Sequence, residues 1–438
     1  VRRTAIYQIV AAAVLAASLL ASCSEPAPEE AASDGVSDET TDDAADCSAD
    51  LLACAADSML APYLPEEPTA ATGEPIVLGM VNQENTAAGS YPELSQAAQA
   101  AIDWVNEELG GVGGRPIELE VCNTEFSAEG STSCGQQFVE AGVPAVLGGI
   151  DVFGNAIETL DDNGIPYIGG IPVSTQSVTS PNSFQWSGGS WGATVAFAEH
   201  AATVAEVDRV SIVYGEFGSI THAAEIGKEV LEGYGVEAQL VPYPIMATDI
   251  SSALNAAAAS DPDAIMLLAA DSGCTAGFDG IDALGIDVIR YFVGACASPA
   301  IIDEVGFDTA EGAIFNVEGP IGAEQSTTDG ILYFSVVDEY GPDGLDPVGA
   351  GTVTFRAFMN LYAVLQQIEG EITPEAITEA LRSQVDAPSF TGHPYTCDGK
   401  QFDGLPAMCS PQQILGQMTD GALAQVGDWI DVGSIYQG

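Results

Sequence analysis

Short apolar runs of strand length alternate with amphipathic stretches of helical spacing along this chain, and the alternation passes through two successive cycles. The first cycle opens on Ile76-Val77-Leu78-Gly79-Met80-Val81, a short buried-strand pattern. A helix follows a polar loop. Pro92 suits its first turn, Leu94, Ala98, Ile102, Val105 and Leu109 recur on one face, and Gly110-Gly111 ends it. The spacing then predicts a strand over 117–121, a helix near 131–141, a strand over 145–147, a helix over 155–162 and a strand at 167–168. The second cycle predicts strands over 210–214, 236–241 and 264–269, with helices over 221–232 and 250–259 between them. Strands that alternate with helices pair in parallel through right-handed crossovers, which makes a doubly wound α/β sheet. "EAGVPAVLGG" in the first cycle has a positional echo in "ASDPDAIMLLAA" in the second, so two lobes of one topology are expected.

Beyond Pro320 two more helical patterns appear. One carries Phe355, Phe358, Tyr362 and Leu365 on one face, and the other starts at "TPEAITEAL" with Thr373 as N-cap and Pro374 at the first helical position. The last segment, with Cys397, Cys409 and the run "GDWIDV", reads as strands and hairpins.

Upstream of the first strand the chain is of another kind. An apolar run of about sixteen residues, Ile6 to Ala21, follows Arg2 and Arg3 and ends in small residues. It falls short of the roughly 20 residues that cross a bilayer as a helix, and its order of charged, apolar and small residues is that of a secretory signal. Leu20-Ala21-Ser22-Cys23 resembles the bacterial lipobox, in which the cysteine is acylated and becomes the first residue of the mature protein. The expected division is a signal peptide over 1–22 and, over 23–73, a lipidated Cys23 with an acidic disordered tether. Ser24 to Asp50 holds ten Asp or Glu and no Lys or Arg, too little apolar surface to fold alone. If flexible, the fifty residues from Ser24 to Gly73 would reach roughly 40 Å.

Nine basic residues against 64 acidic ones give a formal charge of -55. That surface repels nucleic acid and anionic lipid, so no nucleic-acid partner is expected, and contact with a membrane is expected only through the anchor. The even spread of charge reads as a solvated coat suited to salty surroundings. Eight cysteines remain once Cys23 is set aside. An even number in an exported chain favours disulfides, although on the order of a hundred pairings are open. Neighbour pairing is the simplest: Cys47 with Cys54, Cys122 with Cys134, Cys274 with Cys296, and Cys397 with Cys409. A metal site of His393, Cys397 and Cys409 is the rival, and no CxxC pair supports it.

Catalytic patterns are scarce. Lys228 and Lys400 are followed by Glu and Gln, so there is no phosphate loop; HExxH is absent, and Gly110 to Gly114 lies between a helix and a strand, the wrong order for a dinucleotide loop. Gly188-Gly189-Ser190-Trp191-Gly192 fits GxSxG, with His200, His222 and His393 downstream as candidate bases for a serine hydrolase. His200 is expected on the helix that follows Ser190, which weakens that reading.

The segment "GEPIVLGMVNQENTAAGSYPELSQAAQAAIDWVNEELGGVGGRPIELEVC" resembles the opening of type I periplasmic binding proteins, the branched-chain amino acid (leucine-binding-protein-like) group that serves ABC importers. The likeness continues through "GVPAVLGGIDVFGNAIETLDDNGIPYIGG", "RVSIVYGEFG", "DISSALNAAAASDPDAIMLLAA" and "EGAIFNVEGP", over roughly residues 74 to 436. The resemblance implies two Rossmann-like doubly wound lobes joined by a hinge, a Venus-flytrap, with 74–190 and 320–385 in the first lobe and 191–319 and 386–438 in the second. It implies no catalysis and no cofactor. A monomeric, lipid-anchored receptor on the outer face of the membrane would capture a small polar solute, an amino acid or a related compound, and deliver it to permease subunits. A lipoprotein that senses the ligand for a signalling partner is the alternative.

By position in the family pattern, the ligand-binding residues are Asn82, Gln83 and Tyr91 after the first strand, Asp151 and Phe153 after the third, Gly170 and Ile171 after the fourth, and Phe217 and Asp271 from the second lobe. Amino-acid-binding relatives place hydroxyl residues after the third and fourth strands, where this chain has Asp151 and Gly-Gly-Ile-Pro. They also place an acidic residue near "VGACAS", where it has Cys296; Asp271 would substitute for that acid in pairing a ligand ammonium.

Overall fold

In the computed structural model of the protein, the residues described are 47–86 and 89–436. The expected signal segment, Cys23 and the acidic stretch up to residue 46 lie outside them.

Two sheets organise the chain. The first comprises β1 (Ile76–Asn82), β2 (Ile117–Asn123), β3 (Val146–Gly148), β4 (Tyr167–Ile168) and β5 (Ser183–Phe184), ordered β2-β1-β3-β4-β5. All its pairings are parallel. The second comprises β6 (Arg209–Glu216), β7 (Glu237–Pro244), β8 (Ala264–Leu268), β9 (Ile289–Phe292), β10 (Ile314–Val317), β11 (Gln412–Thr419) and β12 (Ala422–Asp431), ordered β12-β11-β10-β9-β8-β6-β7. Its first five strands in chain order are parallel, and the β11–β12 hairpin adds to β10 antiparallel. Helices cover both faces of a parallel sheet, so its central strands must be apolar throughout. β8, Ala-Ile-Met-Leu-Leu, is buried at every position.

The expected elements form where their signals lie. The helix Pro92–Glu107 starts on its proline and buries Leu94, Ala98, Ile102, Trp104 and Val105. The chain then turns through Gly110 and Gly111, both at positive φ; a Cβ on Gly111 would meet the Arg115 carbonyl oxygen at 2.1 Å, so only glycine fits. Thr373 caps the helix Pro374–Arg382, its hydroxyl accepting from the Ala376 amide at 3.2 Å.

Two stretches depart from the sequence expectation. The tether was expected to extend to residue 73, yet the chain is folded from Cys47 onward. Cys47, Leu51, Leu52, Ala55 and Leu60 are buried in the first core, the Asp50 carboxylate caps the helix Leu51–Ala55, and the Met59 amide donates to Asp329 on the helix Thr328–Tyr340. The local leucines supply an apolar face that the run of acids masks, and the Cys47–Cys54 disulfide closes the turn. The second departure concerns residues 386–411, assigned above to the second lobe alone. Phe390, Tyr395, Cys397 and Cys409 pack in the first core, whereas Phe402, Leu405 and Met408 pack in the second.

The chain passes between lobes three times: at 185–188 leaving β5, at 318–327 leaving β10, and near 409–412 entering β11. The first and third passages lie side by side, with the Gln185 amide donating to Ala407 and the Cys409 amide to Gln185, both at 2.8 Å. Neighbouring cysteines pair in all four disulfides, so the sulfurs of Cys397 and Cys409 are occupied and cannot serve the rival metal site. Among the described residues no cluster of metal-ligating side chains occurs, and no helix is long and apolar enough to cross a membrane.

Candidate functional site

In open α/β sheets, ligands lie outside the carboxyl ends of the strands. The two sheets turn those ends toward each other, and contacts among the described residues join the lobes there. The Tyr91 hydroxyl, from the loop after β1, donates to Asp271 Oδ1 at 3.1 Å, directly after β8. Phe153, after β3, meets Phe217, after β6, edge to face at 6.0 Å between centroids. The Ser219 hydroxyl donates to the Val173 carbonyl in the loop after β4.

Two acids of that meeting place stand at helix starts, Glu93 in the first turn of Pro92–Glu107 and Asp271 opposite it. The Asp271 site is braced as well. Asp271 is the first residue of the helix Asp271–Leu284, where the helix dipole favours a carboxylate, and one turn further on Cys274 is bonded to Cys296 of the loop after β9. Burial nevertheless pushes its carboxyl above the usual range, with the Tyr91 hydrogen bond pulling it back. Burial and the Asp271 charge together keep the Tyr91 phenol protonated. Glu93, nearby, is also raised, first by burial and then by the charges of Asp271 and Glu84, against the pull of a backbone hydrogen bond. None of the ion pairs among the described residues involves Asp271.

The sequence-derived residues separate into two groups. Tyr91, Phe153, Phe217 and Asp271 meet across the lobes, all partly exposed, and Ile171 lies in the loop after β4 that Ser219 touches. Asn82, Gln83, Asp151 and Gly170 instead shape the loops. Asn82 is wholly buried: its amide donates to Glu84 at 3.0 Å and to the Tyr91 carbonyl at 2.8 Å, and its oxygen accepts from the Ile150 amide at 3.1 Å. Gln83 holds the other end of that loop through Gly89.

Asp151, expected to face the ligand, has both oxygens engaged within the first lobe. Oδ2 accepts from Ser131 at 2.8 Å and Oδ1 from the Gly154 amide at 3.1 Å, at 2 % exposure. Burial raises its carboxyl, opposed by those bonds and by the amides of Phe153 and Ala156. The residue therefore folds the turn that presents Phe153. Gly170 sits at a φ of 86°, so close to Gly148 and Gly149 that a Cβ would clash with backbone.

Three further residues stand at the same contacts. Phe126, in the loop after β2, stacks edge-on against Phe153 at 5.5 Å; Glu93 and Ser219 complete the contacts. Phe126 could have been found by applying the strand-end rule to the second strand as well as to the first, third and fourth.

The GxSxG rival finds no geometry. Ser190 and His200 lie on one helix, Gly189–Thr203, ten residues and so about 15 Å of rise apart. His200 faces Tyr291 at 2.9 Å, and His222 and His393 pair locally with Glu225 and the Pro394 carbonyl.

Comparison with known proteins agrees with this fold. The family model described as periplasmic binding protein matches residues 75–409. The leucine-binding protein LivK of Thermotoga maritima has 16% identity and a TM-score of 0.67, covering 81% of this chain and 98% of its own. LivJ of Streptococcus pneumoniae, a branched-chain amino acid transporter substrate-binding protein solved with isoleucine, gives 17% identity and 0.67, covering 81% and 99%. A possible leucine/isoleucine/valine-binding protein of Rhodopirellula baltica gives 13% identity and 0.72, covering 82% and 98%. A comparison with curated proteins returns no match.

Proposed function

Because the chain belongs to the periplasmic binding protein family, we propose that it captures a small solute bearing a cationic amine beside an apolar or ring-bearing part, and delivers it to an ABC permease. The observation that carries this reading is Asp271: a partly buried carboxylate on a braced helix start, at the meeting of the lobes, with a phenol and, among the described residues, no cation paired with it. A buried carboxylate is costly unless paired and hydrogen-bonded. An ammonium supplies the missing charge, and Phe126, Phe153 and Phe217 offer ring edges to the rest of the solute. Amines without a carboxylate and amino acids both carry that group. The structural neighbour LivJ, solved with isoleucine, favours the latter, and the absence of Lys and Arg from the contacts described at the cleft favours the former.

Capture works through differential affinity. A solute that binds both lobes favours the closed arrangement, and the permease responds to that arrangement. In this proposal the receptor is a monomer outside the cytoplasm, held on the membrane by acyl chains on Cys23. The motif Leu20-Ala21-Ser22-Cys23 supports the anchor.

A thermal-shift screen tests the reading. A ligand at 100 times its Kd stabilises a folded protein by about 2.7 kcal/mol. L-isoleucine, L-leucine, short alkylamines, polyamines and aromatic amines form the panel, with their deaminated counterparts as controls. A shift from amines alone is expected. A response restricted to uncharged or purely anionic solutes would refute it.

A further inference from the structure

Away from the cleft, the three passages between lobes converge on a buried cluster of charged and polar side chains. Arg356 comes from the helix Gly351–Leu365, packed in the first core. Its guanidinium donates to the Trp186 carbonyl of the first passage at 3.2 Å and reaches Glu318 Oε2, at the start of the second passage, at 3.5 Å. Ser187 of the first passage donates to the other Glu318 oxygen at 2.9 Å. The pair is nearly dry, with side chains 8% and 16% exposed. Gln413, entering β11 from the third passage, lies where a Cβ on Gly188 or Gly192 would strike it, at 2.6 and 3.1 Å. Glu324 holds the Gly392 amide at 3.0 Å beside the same cluster.

A small cavity of about 10 Å³ is lined by Trp186, Glu318, Arg356 and Gln413, among others. Arg356 Nε, Trp186 Nε1 and Gln413 Oε1 are buried without a protein partner. Two donors and one acceptor around a space of that size suit a single bridging water.

We propose that Arg356 and Glu318 form a charge-compensated hinge pin: positioning residues that touch no solute and set how readily the lobes close. The lobes can shut dry on this cluster only because each charge neutralises the other. Removing one partner leaves the other charge buried and uncompensated, which is far more costly than removing both. Opening at the passages hydrates the stranded charge, so a single substitution shifts the population toward the open form. The double substitution restores it. The inference rests on the reading of a receptor that opens and closes, but it does not depend on which solute is bound.

The test is small-angle X-ray scattering of the full-length, solute-free protein, comparing wild type, R356Q, E318Q, S187A and the R356Q/E318Q double variant. R356Q should raise the radius of gyration, with the open-to-closed ratio increased by more than about tenfold. S187A, which keeps both charges and removes one hydrogen bond, should move the same way by less. The double variant should lie closer to wild type than R356Q does, a recovery that mere loss of packing cannot produce. Radii unchanged in R356Q and S187A would overturn the pin, as would a double variant more open than R356Q. If R356Q fails to fold, E318Q and S187A carry the comparison. Since no solute enters the experiment, failure to find a ligand and failure of the pin are separate results.

Discussion

Replacing Asp151 by alanine separates a residue that organises a loop from one that binds solute. The carboxylate accepts from Ser131 at 2.8 Å and from the Gly154 amide at 3.1 Å, both buried. Hydrogen bonds to a charged group contribute about 1.5–3 kcal/mol each, and relief from burying the carboxylate offsets part of that. A net loss of about 2–4 kcal/mol follows. Unfolding entropy near 2.1 cal/mol/K per residue, over roughly 390 folded residues, gives about 0.8 kcal/mol per degree. Asp151→Ala should therefore lower the Tm of the solute-free protein by about 3–5 °C in scanning calorimetry. Asp151→Asn, which keeps an oxygen for Gly154, should lose less. Solute affinity should weaken only through the displaced Phe153 loop. A variant that melts with the wild type yet binds no solute would refute the assignment and return Asp151 to the ligand set.

Other perturbations have defined outcomes. Asp151, Asp271, Glu93, Glu318, Glu324 and Asp329 are all held above their ordinary carboxyl range by burial. The folded state thus binds protons before the unfolded state does, so stability should rise as pH falls from 7.5 toward the ordinary carboxylate range. His200, kept neutral by burial, and the exposed Asp249 and Asp398, shifted down by hydrogen bonds, pull the other way. A Tm at pH 5.5 no higher than at 7.5 would contradict the balance. Asp271→Asn should leave the melting temperature close to wild type and weaken amine binding by at least about tenfold in calorimetric titration, the loss of one charge-assisted bond. Removing the Cys397–Cys409 bridge, whose loop packs on both cores, should cost about 2–4 kcal/mol, read from the urea midpoint.

The fold was legible because its signals are local. Pro92, Thr373 with Pro374, and the runs at 76–81 and 264–269 each state one element, and tertiary packing agrees with them. The folded stretch from Cys47 to Leu60 was hidden because five buried apolar side chains sit next to a long run of acids, and average composition cannot distinguish a few leucines that find a partner helix from leucines that do not. The cleft was half legible. Position after a strand end identifies which loops face it, and Tyr91, Phe153, Phe217 and Asp271 follow that rule. Which way a side chain turns depends on distant partners: Asp151 answers to Ser131, twenty residues earlier, and Asn82 to Ile150. The hinge pin was not legible, because Glu318 and Arg356 become neighbours only when three separate passages meet.

Capture of an amine-bearing solute on Asp271 between two lobes can be read by calorimetric titration of wild type and Asp271→Asn with the strongest amine from the thermal screen and with its deaminated counterpart. The amine should bind wild type, Asp271→Asn should weaken that binding by at least about tenfold, and the counterpart should bind neither protein well. Equal binding of amine and counterpart by wild type, or unchanged amine binding by Asp271→Asn, would contradict capture on Asp271.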